Sequence, residues 1–152
     1  MPSVQIPLTQ GKVAICDESD AEKVLQHRWY AYMDRNTFYA ATTVKNKRVR
    51  MHSFLFPEAE MVDHKNRDGL DNRRENLRPC TRSQNASNRL SILGESGYRG
   101  VRRKRSKYQA AIEVDGVKRH LGTHKTPEEA AFWYDLAAIS AFGEFAVLNF
   151  GE

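Results

Sequence analysis

Hydrophobic and polar positions alternate most cleanly near the C-terminal end of the chain. Over Lys107–Val114, Tyr108, Ala110, Ile112 and Val114 alternate with Lys107, Gln109, Ala111 and Glu113, the period of a half-buried strand. Asp115-Gly116 then supplies a two-residue hairpin turn, and Val117–Thr123 is the returning strand, with Val117 and Leu121 on one face and Lys118 and His120 on the other. Tyr98–Lys104 is a shorter strand ahead of this pair. After it, Thr126-Pro127-Glu128-Glu129 predicts a capped helix running to about Phe142 and stopping at Gly143. Ala130, Ala131, Trp133, Tyr134, Ala137, Ala138 and Ala141 give that helix a small-residue face able to lie close on a sheet.

The N-terminal part is less regular. Phe38–Val44 and Arg48–Phe56, joined by Lys45-Asn46-Lys47, read as a hairpin, and short strands are expected near Lys12–Ile15 and Arg28–Met33. After Pro57 an apolar pair leads into Asp63-His64, a polar loop follows, and Leu77–Cys80 is a second short strand. Thr81-Arg82-Ser83-Gln84 then opens a short polar helix through Arg89. The expected fold class is α+β. Residues 1–90 form one domain whose core is 50–90. The Gly- and Ser-rich stretch 91–97 is a linker, and 98–152 is a second domain with a three-stranded antiparallel sheet packed on one helix.

Composition narrows the function. The chain has 152 residues, 40% hydrophobic and 28% charged, which suits globular domains. Its longest apolar runs are a few residues, so no membrane span is expected, and residues 1–5 lack the basic start and apolar stretch of a secretion signal. Cys16 and Cys80 fit a reducing cytosol and cannot form a four-cysteine zinc site; no structural zinc is expected. Residues 99–125 hold nine Lys/Arg and two acidic residues, whereas 126–152 hold five acidic residues and no Lys/Arg. A basic block beside an acidic one suggests a module with one face toward a polyanion.

Asp63-His64 at a strand and Asn85 on the helix that follows carry the candidate chemistry. The side-chain oxygens of Asp63 and Asn85 suit a hard divalent cation, and histidine takes a proton from water near pH 7. His52 reads as a packed structural histidine. In order and spacing, Asp63-His64, Asp71-Asn72-Arg73-Arg74-Glu75-Asn76-Leu77-Arg78, and Thr81 to Asn85 with Asn88 resemble the motif of phage-type HNH homing endonucleases. The resemblance implies a ββα-metal finger in which His64 is the general base, Asp63 and Asn85 ligate Mg²⁺ or Mn²⁺, and Asn76 steadies the finger and helps orient the histidine.

The C-terminal part resembles an AP2/ERF DNA-binding domain in Tyr98-Arg99-Gly100-Val101-Arg102, Leu121-Gly122-Thr123, Thr126–Ala131, Tyr134-Asp135 and Ala146–Phe150. That implies double-stranded DNA as partner and a sheet that enters the major groove. Arg99, Arg102, Lys104 and Lys118 match basic contact positions; Arg103 and Arg105 are their neighbours, and His120 stands where the family commonly has tryptophan. Strict alternation sets Arg99 and Arg102 on opposite faces, so the first strand needs a bulge if both contact DNA. The function expected is a metal-dependent HNH homing endonuclease held on DNA by an AP2-like domain. Its alternative is a transcription regulator with a decayed nuclease. The oligomeric state is open; a monomer would nick.

Overall fold

A computed structural model describes residues 2–89 and 93–151. They fall into two compact units, Met1–Thr81 and Arg82–Glu152. The division lies ahead of the expected linker 91–97, of which residues 91 and 92 are outside the described ones. Among the described residues, no helix is long and apolar enough to cross a membrane.

In the first unit, β1 (Ser3–Pro7) pairs antiparallel with β2 (Val13–Asp17), which runs into α1 (Glu18–Val24). A second sheet orders β3 (Tyr30–Asp34), β4 (Thr37–Val44) and β5 (Lys47–Arg50), all antiparallel. The β4–β5 turn has φ of 49° at Lys45 and 64° at Asn46, a left-handed pair whose twist suits a two-residue hairpin. The strand expected over Arg48–Phe56 is corrected: it ends at Arg50, and α2 (Met51–Leu55) follows. Met51, His52 and Leu55 are its buried residues, so burial recurs at helical rather than strand spacing. β6 (Met61–His64) and β8 (Leu77–Cys80) form an antiparallel pair, and between them β7 (Asp71–Asn72) runs parallel to β2. Ile6, Ala14, Cys16, Val24, Trp29, Ala40, Met51, Leu55, Val62 and Leu77 make the common core.

The second unit begins with α3 (Arg82–Ser87), shorter than the helix expected through Arg89. β9 (Val101–Lys104), β10 (Lys107–Val114) and β11 (Val117–His124) form an antiparallel sheet, with β10 in the middle. The first strand starts at Val101 rather than Tyr98, because Gly97 and Gly100 take φ of 75° and 74° and turn the chain there. α4 (Pro127–Phe142) packs on this sheet, its N-terminus capped by Thr126 Oγ1, which accepts from Glu129 N at 3.1 Å. Ala130, Ala131, Tyr134, Ala138 and Phe142 line its buried side. Trp133 and Ala141 do not join them as expected: one is half-exposed and the other exposed, since they fall off the i, i+4 line that faces the sheet.

Candidate nuclease site and basic sheet

His64 closes β6 opposite Leu77, and Asp63 lies opposite Arg78. Both side chains are buried. The His64 ring meets Asn72, His52 and Tyr39. Its Nε2 is 3.1 Å from Asn72 Oδ1, its ring centroid is 4.9 Å from that of His52 at a near-perpendicular angle, and Tyr39 is 5.9 Å away. An amide oxygen only accepts, so Nε2–H donates to Asn72 and the lone pair of the neutral ring sits on Nδ1. Burial is the largest influence on the ring and lowers its pKa below the usual value, against the opposing pull of Asn72, Asp63, Asp68 and Asp71. His64 is therefore neutral at pH 7, the form that takes a proton. His52 is held down to about 3, first by burial and then by the charges of His64 and Arg50.

Asn72 was not foreseen as a contact of the histidine. It is fully buried because β7 pairs with β2, setting Asn72 opposite Cys16. Its Nδ2 is a buried polar atom with no hydrogen-bond partner among the described residues. Asn76 works on the loop instead. Its Oδ1 accepts from Asn66 N at 3.0 Å, its Nδ2 donates to Asp71 O at 2.8 Å, and its carbonyl accepts from Lys65 N at 2.9 Å. Three side-chain oxygens each accept from the backbone two residues on: Asn66 from Asp68 N, Asp68 from Leu70 N, and Asp71 from Arg73 N. The loop arginines also face inward. Arg73 forks onto Asp71 at 2.8 and 2.7 Å, which leads in holding that carboxyl below its usual range. Arg74 forks onto Asp20 at 2.8 Å through both nitrogens, while its backbone N donates to Asp17.

Asp63 Oδ2 accepts from Arg78 Nε at 3.1 Å and Nη2 at 2.9 Å, a buried ion pair. The carboxylate thus already has a cationic partner. Among the described residues, no group of three or more His, Cys, Asp or Glu is placed to hold a metal. A hard cation such as Mg²⁺ needs only one or two protein carboxylates, with substrate phosphates and water completing its shell. By its chemistry, Asp63 fits that demand. Cys80 sits nearby with its thiol pushed up to about 11, mainly by burial, so it stays protonated and is a poor ligand.

Residues 56–87 match the HNH endonuclease family model. The matched HNH segment contains Asp63, His64, Asn72, Asn76 and Asn85. A protein of Acanthamoeba polyphaga mimivirus named an uncharacterized HNH endonuclease is 30% identical over 110 residues, 67% of this chain and 58% of the viral one. An ethylene-responsive transcription factor-like protein of Arabidopsis thaliana is 43% identical over 61 residues, 40% of this chain and 27% of the plant one. The chain thus spans between a quarter and three fifths of these relatives. The HNH segment and the viral relative support a nuclease.

In the second unit, β9 sets Arg102 and Lys104 on the sheet face away from α4, and Val101 and Arg103 on the other. Arg102 Nη2 donates to Gln109 Oε1 at 3.0 Å, and Gln109 Nε2 lies 3.2 Å from His120 Nδ1, so a polar row crosses all three strands. Lys118 lies opposite Glu113 on that same face. Arg103 donates to Arg105 O and reaches Glu95 at 3.5 Å, and Arg105 occupies the β9–β10 turn at φ 59°. The first strand has no bulge: the irregularity lies between β10 and β11, near Gly122 at φ 97°. Arg99 precedes the strand, and its guanidinium is engaged by backbone carbonyls. Its Nη1 donates to Ser87 O at 2.9 Å and its Nη2 to Arg89 O. A guanidinium at the carbonyl end of a helix answers both the orphan acceptors and the negative dipole end.

Proposed function

We propose that the chain is a metal-dependent DNA endonuclease of the HNH homing type, with a nuclease module toward the N-terminus and an AP2-like DNA-holding module toward the C-terminus. The observation that carries the proposal is the buried His64, neutral and tethered through Nε2 to Asn72, inside the segment that matches the HNH family.

His64 Nδ1 takes the proton of a water molecule whose oxygen attacks the phosphorus. The P–O3′ bond breaks, its electron pair leaves with the 3′ oxygen, which takes a proton from solvent water, and the products are a 5′ phosphate and a 3′ hydroxyl. Asn72 fixes the ring tautomer, and His52 and Tyr39 pack around the ring and exclude solvent. The resemblance assigns Asp63 and Asn85 as the oxygen donors for Mg²⁺ or Mn²⁺. Such a cation, when bound, stabilises the departing 3′ oxygen. In the other unit, the Arg102–Gln109–His120 row, with Lys104 and Lys118, offers the donors that base edges and phosphates accept.

Supercoiled plasmid incubated with Mg²⁺ or Mn²⁺ tests this. The wild-type chain should relax it, and His64→Ala should slow nicking by about 10²–10⁴-fold, the usual worth of a general base. Plasmid left intact by the wild type overturns the proposal. A second reading, a DNA-binding regulator, is favoured by the plant transcription factor-like relative. Metal-independent binding with no cleavage selects it.

A further inference from the structure

We infer that one face of the β3–β4–β5 sheet is the track along which the cleaved DNA strand approaches His64, an inference that rests on the nuclease reading. The strand register places Tyr30, Tyr32, Tyr39, Arg48 and Arg50 on that face together. The side chains interleave as ring and guanidinium. Arg48 Cζ lies 3.9 Å from the Tyr32 ring centre, Arg50 Cζ lies 5.5 Å from Tyr32 and 4.4 Å from Tyr39, and Tyr39 lies 5.9 Å from His64. The row therefore ends on the histidine itself.

The two arginines differ in how they are balanced. Arg50 is matched by Asp34 at 2.7 Å. Arg48 is exposed, and among the described residues it makes no salt bridge. Its guanidinium is nevertheless held at two points, with Cζ over the Tyr32 ring and Nε 3.4 Å from Tyr30 Oη. A planar cation fixed in place without an acid, beside the half-buried rings of Tyr30, Tyr32 and Tyr39, suits phosphate and nucleobase recognition. The charge around it agrees. Residues 28–50 hold six Lys/Arg and one acidic residue, with Lys45 and Lys47 flanking the β4–β5 turn. A strand with a phosphate on Arg48 and a base or sugar over Tyr32 would continue past Tyr39 to the nitrogen that takes the proton.

The test is duplex-DNA binding by the full chain in EDTA, where no cleavage occurs, followed by fluorescence anisotropy across a salt series. Arg48→Ala should weaken binding roughly ten-fold at 0.1 M salt and lower the slope of log K against log salt by about 0.9, one phosphate contact. Tyr32→Leu, which keeps the charge but removes the stack, should weaken binding without changing the slope. Lys23→Ala, on α1, serves as the charge-matched comparison and should keep the wild-type slope. If Arg48→Ala keeps the wild-type affinity and slope, the track is wrong, even where the wild type nicks plasmid. If the wild type nicks nothing while Arg48→Ala loses its unit of slope, the face still binds DNA and it is the nuclease reading that falls.

Discussion

Asn72 Oδ1 lies 3.1 Å from His64 Nε2, and both side chains are shut away from solvent. The pairing fixes which ring nitrogen carries the proton, so it should govern turnover rather than DNA affinity. Asn72→Leu, close in volume but without an acceptor, should lower the nicking rate on the order of 10–100-fold with little change in KM, as outer hydrogen-bond partners commonly do. Asn72→Asp, which keeps the acceptor, should recover most of the rate. Single-turnover nicking at saturating DNA measures this, and equal losses in both variants would count against a positioning role.

Stability should fall in acid because of the histidine pair. His52 is held down to about 3 in the folded chain, against about 6.5 when unfolded, and His64 is lowered too. Between those values the unfolded state binds the proton and the folded state does not. Stability is therefore full above about pH 6.5 and is lost as pH falls toward 3, at up to about 1.4 kcal/mol per pH unit for His52 alone. Denaturant melts from pH 7 to 4 should show the slope, and His52→Phe should flatten it by roughly one proton.

Asp63 pairs with Arg78 in the fold and, in the proposed reading, also ligates the metal. Removing one partner of a buried ion pair leaves the other charge stranded, at a cost of about 3–5 kcal/mol. Asp63→Ala should therefore lose both nicking and stability. Arg78→Met should also destabilise the fold. With no guanidinium on the carboxylate, it should bind Mn²⁺ more tightly than the wild type by isothermal titration calorimetry.

Gly100 has no room for a side chain. Its φ is 74°, and an added Cβ would stand 2.0 Å from a carbon of the Tyr134 ring. Gly100→Ala must displace a buried ring and hold a strained backbone, so a loss of at least about 2 kcal/mol is expected, read as a lower melting temperature of the second unit. Gly116→Ala, with open space around its Cβ, should cost less, from backbone strain alone.

How far the sequence foretold these contacts depended on their range. The β10–β11 hairpin and α4 were legible because their signals are local: alternation over eight residues, Asp115-Gly116 at φ 52° and 78°, and Thr126 three residues before its Glu129 partner. Asp63-His64 was legible as a motif. Asn72 was not, because its position depends on a parallel bridge to Cys16, 56 residues earlier in the chain. α1 escaped notice for a like reason: its buried Asp20 is balanced by Arg74, and nothing near it in the chain shows that. The Arg48 face was not legible because its charges are sparse along the chain. Of the six Lys/Arg of residues 28–50, Lys47, Arg48 and Arg50 lie on β5 and the other three outside the strands, and only the strand register sets Arg48 and Arg50 beside the tyrosines.

Arg99 was expected to read DNA, yet it donates to the last carbonyls after α3. Ser87 Oγ is 3.0 Å from Phe145 O, and Ser83 Oγ accepts from Asp115 N, so this short helix is laced into the C-terminal unit at three points. A recombination or engineering cut placed at residue 90, where the text of the chain invites it, would part Arg99 from its acceptors and unseat the helix that bears Asn85. Chimeras joined just before Arg82 would move helix and clamp as one cassette, so a swapped second unit would bring its own Asn85-bearing helix with it.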